Sequence, residues 1–199
     1  MHRVVVTGLG IVSCLGNSVE KVAAAPRQGR SGIELIPERK ALGFRSALGG
    51  RVKDLRLPDI PKRNLQQIGQ SSHIAVHATW QALQDAGLET RLVKHDRTAV
   101  IIGRGGNFRD IYEQCHAFHD QKLELGGTAL QRVMHDSVSA NLSVLLGTRG
   151  YSLTVSCACV TGAAAISFAY QLIRQGIQDR TICGGTREDT WEYVCTSTR

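Results

Sequence analysis

No run of this sequence approaches the ~20 consecutive apolar residues that a membrane-spanning helix needs, so no span is expected. Aromatic residues make up only 5% of the chain and proline occurs four times, whereas glycine occurs 21 times. That balance suits thin, closely approaching α/β layers. The basic excess lacks the organisation of a nucleic-acid surface. The net charge is +7, but Lys and Arg are scattered, the longest basic cluster is Lys62-Arg63, and no aromatics interleave with them. An acidic protein or ligand fits the excess as well, and no nucleic-acid partner is expected. The opening MHRVVVTGLG carries no cleavage-type tail and reads as a first strand, not a signal peptide. Six cysteines, with 42% hydrophobic and 21% charged residues, then suit a soluble cytoplasmic protein with reduced thiols. There is no internal repeat and no low-complexity tract.

What is there alternates. Val4-Val5-Val6 reads as a buried strand ended by Thr7-Gly8-Leu9-Gly10. Residues 18–25 read as a helix capped by Ser18. Residues 33–60 are broken by proline and glycine. Residues 71–86 form a strong helical pattern with an apolar face through Ile74, Ala78, Ala82 and Leu83, closed by Gly87. Residues 98–103 are a second buried strand, and 108–125 and 128–146 look helical. A third strand covers 151–157, a helix 160–175, and a fourth strand 180–183. Strands alternating with helices predict an α/β fold, a mostly parallel sheet with helices on both faces.

Three places invite chemistry. Gly8-x-Gly10 after a strand resembles the start of a dinucleotide fingerprint. The third glycine position is Ser13, however, and no acidic residue ends a second strand at the required spacing, so a glycine-lined turn is expected and no cofactor. Cys115 and His119 share a helix face, with His116 beside them and His135 the nearest further candidate. A structural zinc site needs four ligands with a second spaced pair, which is missing, so no metal is expected. The third place is GYSLTVSCACVTGAAAI, residues 150–166. Tyr151, Leu153 and Val155 face one side of the strand, Ser152, Thr154 and Ser156 the other. The following helix would bury Ile166, Ala169, Tyr170 and Ile173. Cys159 falls at the junction, where free N–H groups and the helix dipole stabilise a thiolate and could hold an oxyanion. Packing of small residues and a nucleophilic Cys159 both remain open on these grounds.

The same stretch resembles the active-site signature of the β-ketoacyl-acyl-carrier-protein synthases, which have the thiolase-like fold. The matching residues are Gly150, Val155, Ala158-Cys159, Thr161-Gly162 and Ile166. VVVTGLGIVSCLGNSVE, QGRSGI, ALQDAGL, AVIIG, NLSVLLGTRG and CGGTREDTWEYVC resemble the family in order, so the resemblance runs over residues 1–199 as one N-terminal synthase domain. It implies the N-terminal half of a thiolase-like layered fold. It also implies that Cys159 takes an acyl group from carrier protein, its own N–H forming part of the oxyanion hole, before decarboxylative condensation with malonyl-carrier protein. Trp191, Glu192 and Tyr193 are implied to border the acyl pocket. Lys62 and Arg63 are implied to meet the acidic acyl carrier protein, with Gln66 where a further base is usual. A homodimer, or pairing with another synthase subunit, is implied too. Val160 departs from the family's Ala, Ser or Thr after the nucleophile, and Arg104 departs among the glycines before Asn107. The family's two catalytic His, a Lys and a Gly-Phe-Gly-Gly-type loop belong to a second half that is not in this sequence. A non-catalytic relative that pairs with a full-length synthase or with carrier protein is the competing expectation.

Overall fold

The structure, a computed structural model, describes residues 1–65, 67–105, 108–120 and 127–187. In chain order the elements are α1 (Val19–Arg27), β1 (Ile33–Leu35), α2 (Pro37–Ala41), β2 (Leu48–Gly50), α3 (Lys62–Leu65), α4 (Gln70–Asp85), α5 (Thr90–Val93), β3 (Thr98–Arg104), α6 (Phe108–His119), α7 (Ala129–Val133), α8 (Ser137–Leu146), β4 (Ser152–Val155), α9 (Thr161–Arg174) and β5 (Arg180–Thr186). A single 3₁₀ turn, Ala158–Val160, joins β4 to α9. Strands β1 and β2 form a small antiparallel pair. The main sheet has the order β4-β3-β5 and both of its pairings are parallel.

Every residue of β3 is buried, as a strand covered on both faces requires. Its alternating side chains serve two layers. Ala99 and Ile101 pack with Ala165, Ala169 and Leu172 of α9, and Val155 joins them. Val100 and Ile102 pack with Ala75 and Val76 of α4 and with Val138 and Leu142 of α8. Each large aliphatic side chain so buried contributes about 1.5–3 kcal/mol. The layered parallel architecture and the junction after β4 are as the sequence predicts. Ser152 and Thr154 face α8, where their hydroxyls meet Ser143 and Ser139 at 3.0 and 2.8 Å, and Val155 faces α9.

Four expectations need correction. The Val4-Val5-Val6 run forms no strand and pairs with none among the described residues, and Val5 and Val6 are 59% and 78% exposed. Backbone bonds from His2 to the Arg174 carbonyl, from Leu9 to Asp85 Oδ2 and from Ile11 to Gln81 Oε1 hold it to the helices instead. Helix α4 buries Ser71, Ser72, Ala75, Val76, Thr79 and Leu83, a face rotated from the predicted one: Leu83 is buried as expected, while Ile74, Ala78 and Ala82 are half-buried. Ala78 and Ala82 carry the backbone on which Gly10 and Gly8 lie; a Cβ there would stand 1.8 and 2.1 Å from their carbonyl oxygens. Those glycines therefore serve a close approach to a helix. Helix α9 buries Ala169 as expected, together with Thr161, Ala165 and Leu172, and the alanines let it sit down on β3, while Ile166 and Tyr170 point outward and Ile173 is half-buried. Finally, the segment 128–146 is two helices, because Met134 adopts an extended conformation between them.

Candidate active site

All three strands of the main sheet end on one side, β3 at Arg104, β4 at Val155 and β5 at Thr186. Sites in parallel α/β sheets form outside these carboxyl ends. Cys159 stands there, exposed, in the turn that leads into α9. Residue Ala158 has φ +50°, a left-handed conformation that a non-glycine residue adopts only at a cost. Thr161, the first residue of α9, is buried, and its hydroxyl has two partners. It accepts a hydrogen bond from the Cys157 N–H at 2.8 Å and donates one to the Ala158 carbonyl at 2.7 Å. The Val160 N–H closes the turn on the Cys157 carbonyl at 3.2 Å.

The helix start is pressed onto the sheet by glycine. A Cβ on Gly103 would lie 2.5 Å from Thr161 Cγ2 and 2.6 Å from its carbonyl oxygen, and one on Gly185 would lie 3.0 Å from Gly162 Cα. The positive end of the 14-residue helix α9 is thus aimed at the turn carrying Cys159, where it favours a thiolate or an oxyanion. Cys157 is also exposed, but it lies before the left-handed residue and its N–H is committed to Thr161. Val160 is 61% exposed beside Cys159 and points away from the core.

A second polar group sits on the other face of the sheet at the same end. Arg104 is only 1% exposed. Its Nη1 donates to Ser137 Oγ at 2.6 Å and to the Met134 carbonyl at 3.3 Å, and its Nη2 stands 3.9 Å from Asp110 Oδ2. This contact explains the break between α7 and α8, since the extended Met134 turns its carbonyl to the guanidinium. Burial pushes the Asp110 carboxyl above the usual carboxylate range, and the Arg104 and Arg132 cations pull it back. His73 on α4 is held below the usual imidazole range by burial and by Arg132, and its Nε2 has no hydrogen-bond partner among the described residues. Sequence reasoning noticed Arg104 only as a departure and missed its partners, because nothing in a sequence signals which arginine folds inward. The Thr161 clamp had a legible signal, a hydroxyl residue at a helix start beside an apolar turn.

The remaining expected site residues separate. Lys62 and Arg63 are exposed neighbours on α3. Trp191, Glu192 and Tyr193 lie outside the described residues, as does Gln66. Cys115 and His119 are exposed on α6, and His116 is engaged by Asp120 at 2.5 Å and stacked on Tyr112. Among the described residues no three His, Cys, Asp or Glu side chains converge on a metal-sized point. No helix among them is long and apolar enough to cross a membrane.

Comparison with known proteins places the chain in a family. The chain is 35% identical over 195 residues to the 3-oxoacyl-[acyl-carrier-protein] synthase 1 of Haemophilus influenzae, covering 96% of this chain and 48% of that protein. It therefore spans about half the length of the relatives it matches. The crystal structure of a β-ketoacyl synthase from Burkholderia phymatum superposes with a TM-score of 0.88 at 27% identity, covering 98% of this chain and 49% of that one. A type II polyketide ketosynthase solved with its acyl-carrier protein shares the fold, at a TM-score of 0.77 and 24% identity over 94% of this chain and 51% of that one. Residues 1–197 match the family model described as "Beta-ketoacyl synthase, N-terminal domain", and the chain belongs to that family.

Proposed function

We propose that these residues carry the acyl-loading step of a 3-oxoacyl-carrier-protein synthase. The observation that carries the reading is Cys159 on a strained turn at the positive end of α9, at the carboxyl edge of a parallel sheet. The Cys159 thiolate attacks the thioester carbonyl of an acyl-carrier protein, and the tetrahedral oxyanion faces backbone N–H groups at the helix start, the Cys159 N–H among them. Collapse expels the carrier's thiolate, which takes up a proton, and the acyl group stays on Cys159. Decarboxylative condensation with malonyl-carrier protein follows once the family's second half supplies its acid–base groups. The setting is cytoplasmic, with the thiol reduced. Lys62 and Arg63, exposed side by side, suit the acidic carrier.

Incubation with acyl-carrier protein followed by intact mass measurement tests the loading step. One acyl adduct is expected on the wild-type chain and none on Cys159→Ala. An adduct that survives that substitution, or none on the wild type, refutes it. A non-catalytic partner role has one observation in its favour, the β-branched Val160 standing exposed at the mouth beside the thiol. Co-purification with a full-length synthase in the absence of any adduct would support that role over loading.

The chain should also associate. Among the described residues strand β4 pairs only with β3, which leaves its outer edge open there, and Tyr151, Leu153 and Val144 are exposed around it. An open edge flanked by apolar side chains is a template for pairing with a second copy. Light scattering should report a dimer or larger species; a monomer at all concentrations would remove this part of the proposal.

A further inference from the structure

We propose that Thr161 is a positioning residue for the nucleophile, holding Ala158 in its left-handed conformation so that Cys159 stays at the mouth of α9. The inference rests on the reading of Cys159 as the acyl acceptor and names what keeps it in place. The turn has an internal conflict. Ala158 at φ +50° is in a region that costs a residue with a Cβ. The two residues flanking Ala158 are exposed cysteines, which offer the turn no packing to hold it. What opposes relaxation is the Thr161 hydroxyl. It takes the Cys157 N–H and gives its own proton to the Ala158 carbonyl, so one oxygen ties the peptide unit before Cys157 to the one after Ala158, across the strained residue.

Thr161 is itself fixed. It is 6% exposed, and its Cγ2 and carbonyl lie against the place where Gly103 has no side chain. The β-branched side chain has few rotamers in a helix, so the methyl seated on β3 orients the hydroxyl toward the turn. The sheet therefore sets Thr161, Thr161 sets Ala158, and Ala158 sets Cys159. If the clamp is lost, Ala158 can leave the left-handed region and carry the Cys159 sulfur and N–H away from the helix axis. The left-handed cost of a non-glycine residue corresponds to about fivefold to thirtyfold in population, which bounds the expected effect.

The test uses the 199-residue chain with three substitutions and two reagents. Thr161→Val keeps the shape and removes the hydroxyl; Thr161→Ser keeps the hydroxyl; Ala158→Gly removes the left-handed cost. Iodoacetamide alkylation is followed residue by residue by peptide mapping, and loading from acyl-carrier protein by intact mass. Thr161→Val should slow both reactions at Cys159 by about fivefold to thirtyfold while alkylation of Cys115 is unchanged. Thr161→Ser should stay within about twofold of wild type. In the Ala158→Gly background the effect of Thr161→Val should shrink to about twofold, since no strained residue is left to hold. That rescue separates positioning from general loss of packing, which would persist in the glycine background and would raise Cys115 reactivity as well. An undiminished effect in the glycine background, or Cys159 alkylation unchanged in Thr161→Val, overturns the proposal. Should the wild type take no acyl group yet show this alkylation pattern, the loading reading falls and the positioning role stands.

Discussion

Replacing Arg104 by Ala should destabilise the chain by about 3–5 kcal/mol, the usual consequence of removing one partner from a buried ion pair. The guanidinium is buried at the end of β3 and meets Asp110 on α6, the Met134 carbonyl between α7 and α8, and Ser137 at the start of α8. Three segments thus lose a common partner at once, and Asp110 is left as a buried carboxylate without the cation that most favours its charge. The pH dependence identifies that residue. Burial raises the folded-state value of Asp110 above its ordinary 3.8, and Arg104 is the strongest influence lowering it again. An acid whose folded value is raised is most stabilising when protonated, and folding loses stability as pH rises from the unfolded value through the folded one. Without Arg104 the folded value rises further. The stability gap between wild type and Arg104→Ala should therefore be smallest where Asp110 is protonated in both chains, and should widen as pH rises past the wild-type folded value. Urea unfolding at about pH 4 and about pH 8 reads this difference. Adding Asp110→Asn to Arg104→Ala should remove the widening and leave the constant part due to Ser137 and Met134. A gap that is the same at both pH values would mean that the pair contributes nothing.

Much of this arrangement was legible in the sequence, and the illegible parts share a physical cause. The run 98–103 announces a doubly covered strand because nearly every position is apolar or small. The junction after β4 shows because a strand pattern meets a helix pattern across two cysteines. Which helix faces turn inward was misjudged for α4 and α9. Periodicity ranks faces by hydrophobicity and caught Ala169 and Leu83, but close packing on a sheet selects small residues such as Ala75 and Ala165 over Ile166 and Tyr170. The N-terminal run has a strand's composition, yet burial is a property of neighbours, and the described residues leave Val5 and Val6 mostly exposed. The break at Met134 was invisible because it answers Arg104, 30 positions away in sequence.

Gly103→Ala should impair both stability and Cys159 chemistry, and the second more than the first accounts for. A new methyl at residue 103 would meet Thr161 Cγ2 at 2.5 Å, the Thr161 carbonyl oxygen at 2.6 Å and its carbonyl carbon at 2.9 Å. A rotamer change relieves only the first of these contacts. The other two are backbone, so the start of α9 must lift from the sheet or β3 must bend. Overpacking of this kind costs about 1–3 kcal/mol, and fixed backbone on both sides places this site at the upper end. The movement falls on the residue whose hydroxyl spans Cys157 and Ala158, so the nucleophile turn should be displaced in molecules that are still folded. Neighbouring Gly105 supplies the control: a Cβ there meets nothing within 4 Å among the described residues, and Gly105→Ala should change stability by no more than about 0.5 kcal/mol. Urea midpoints and Cys159 alkylation rates measured under native conditions separate the two effects. Alkylation at wild-type rate in a destabilised Gly103→Ala chain would show that the helix start yields without moving the thiol, and that the contact between α9 and β3 supports the fold alone.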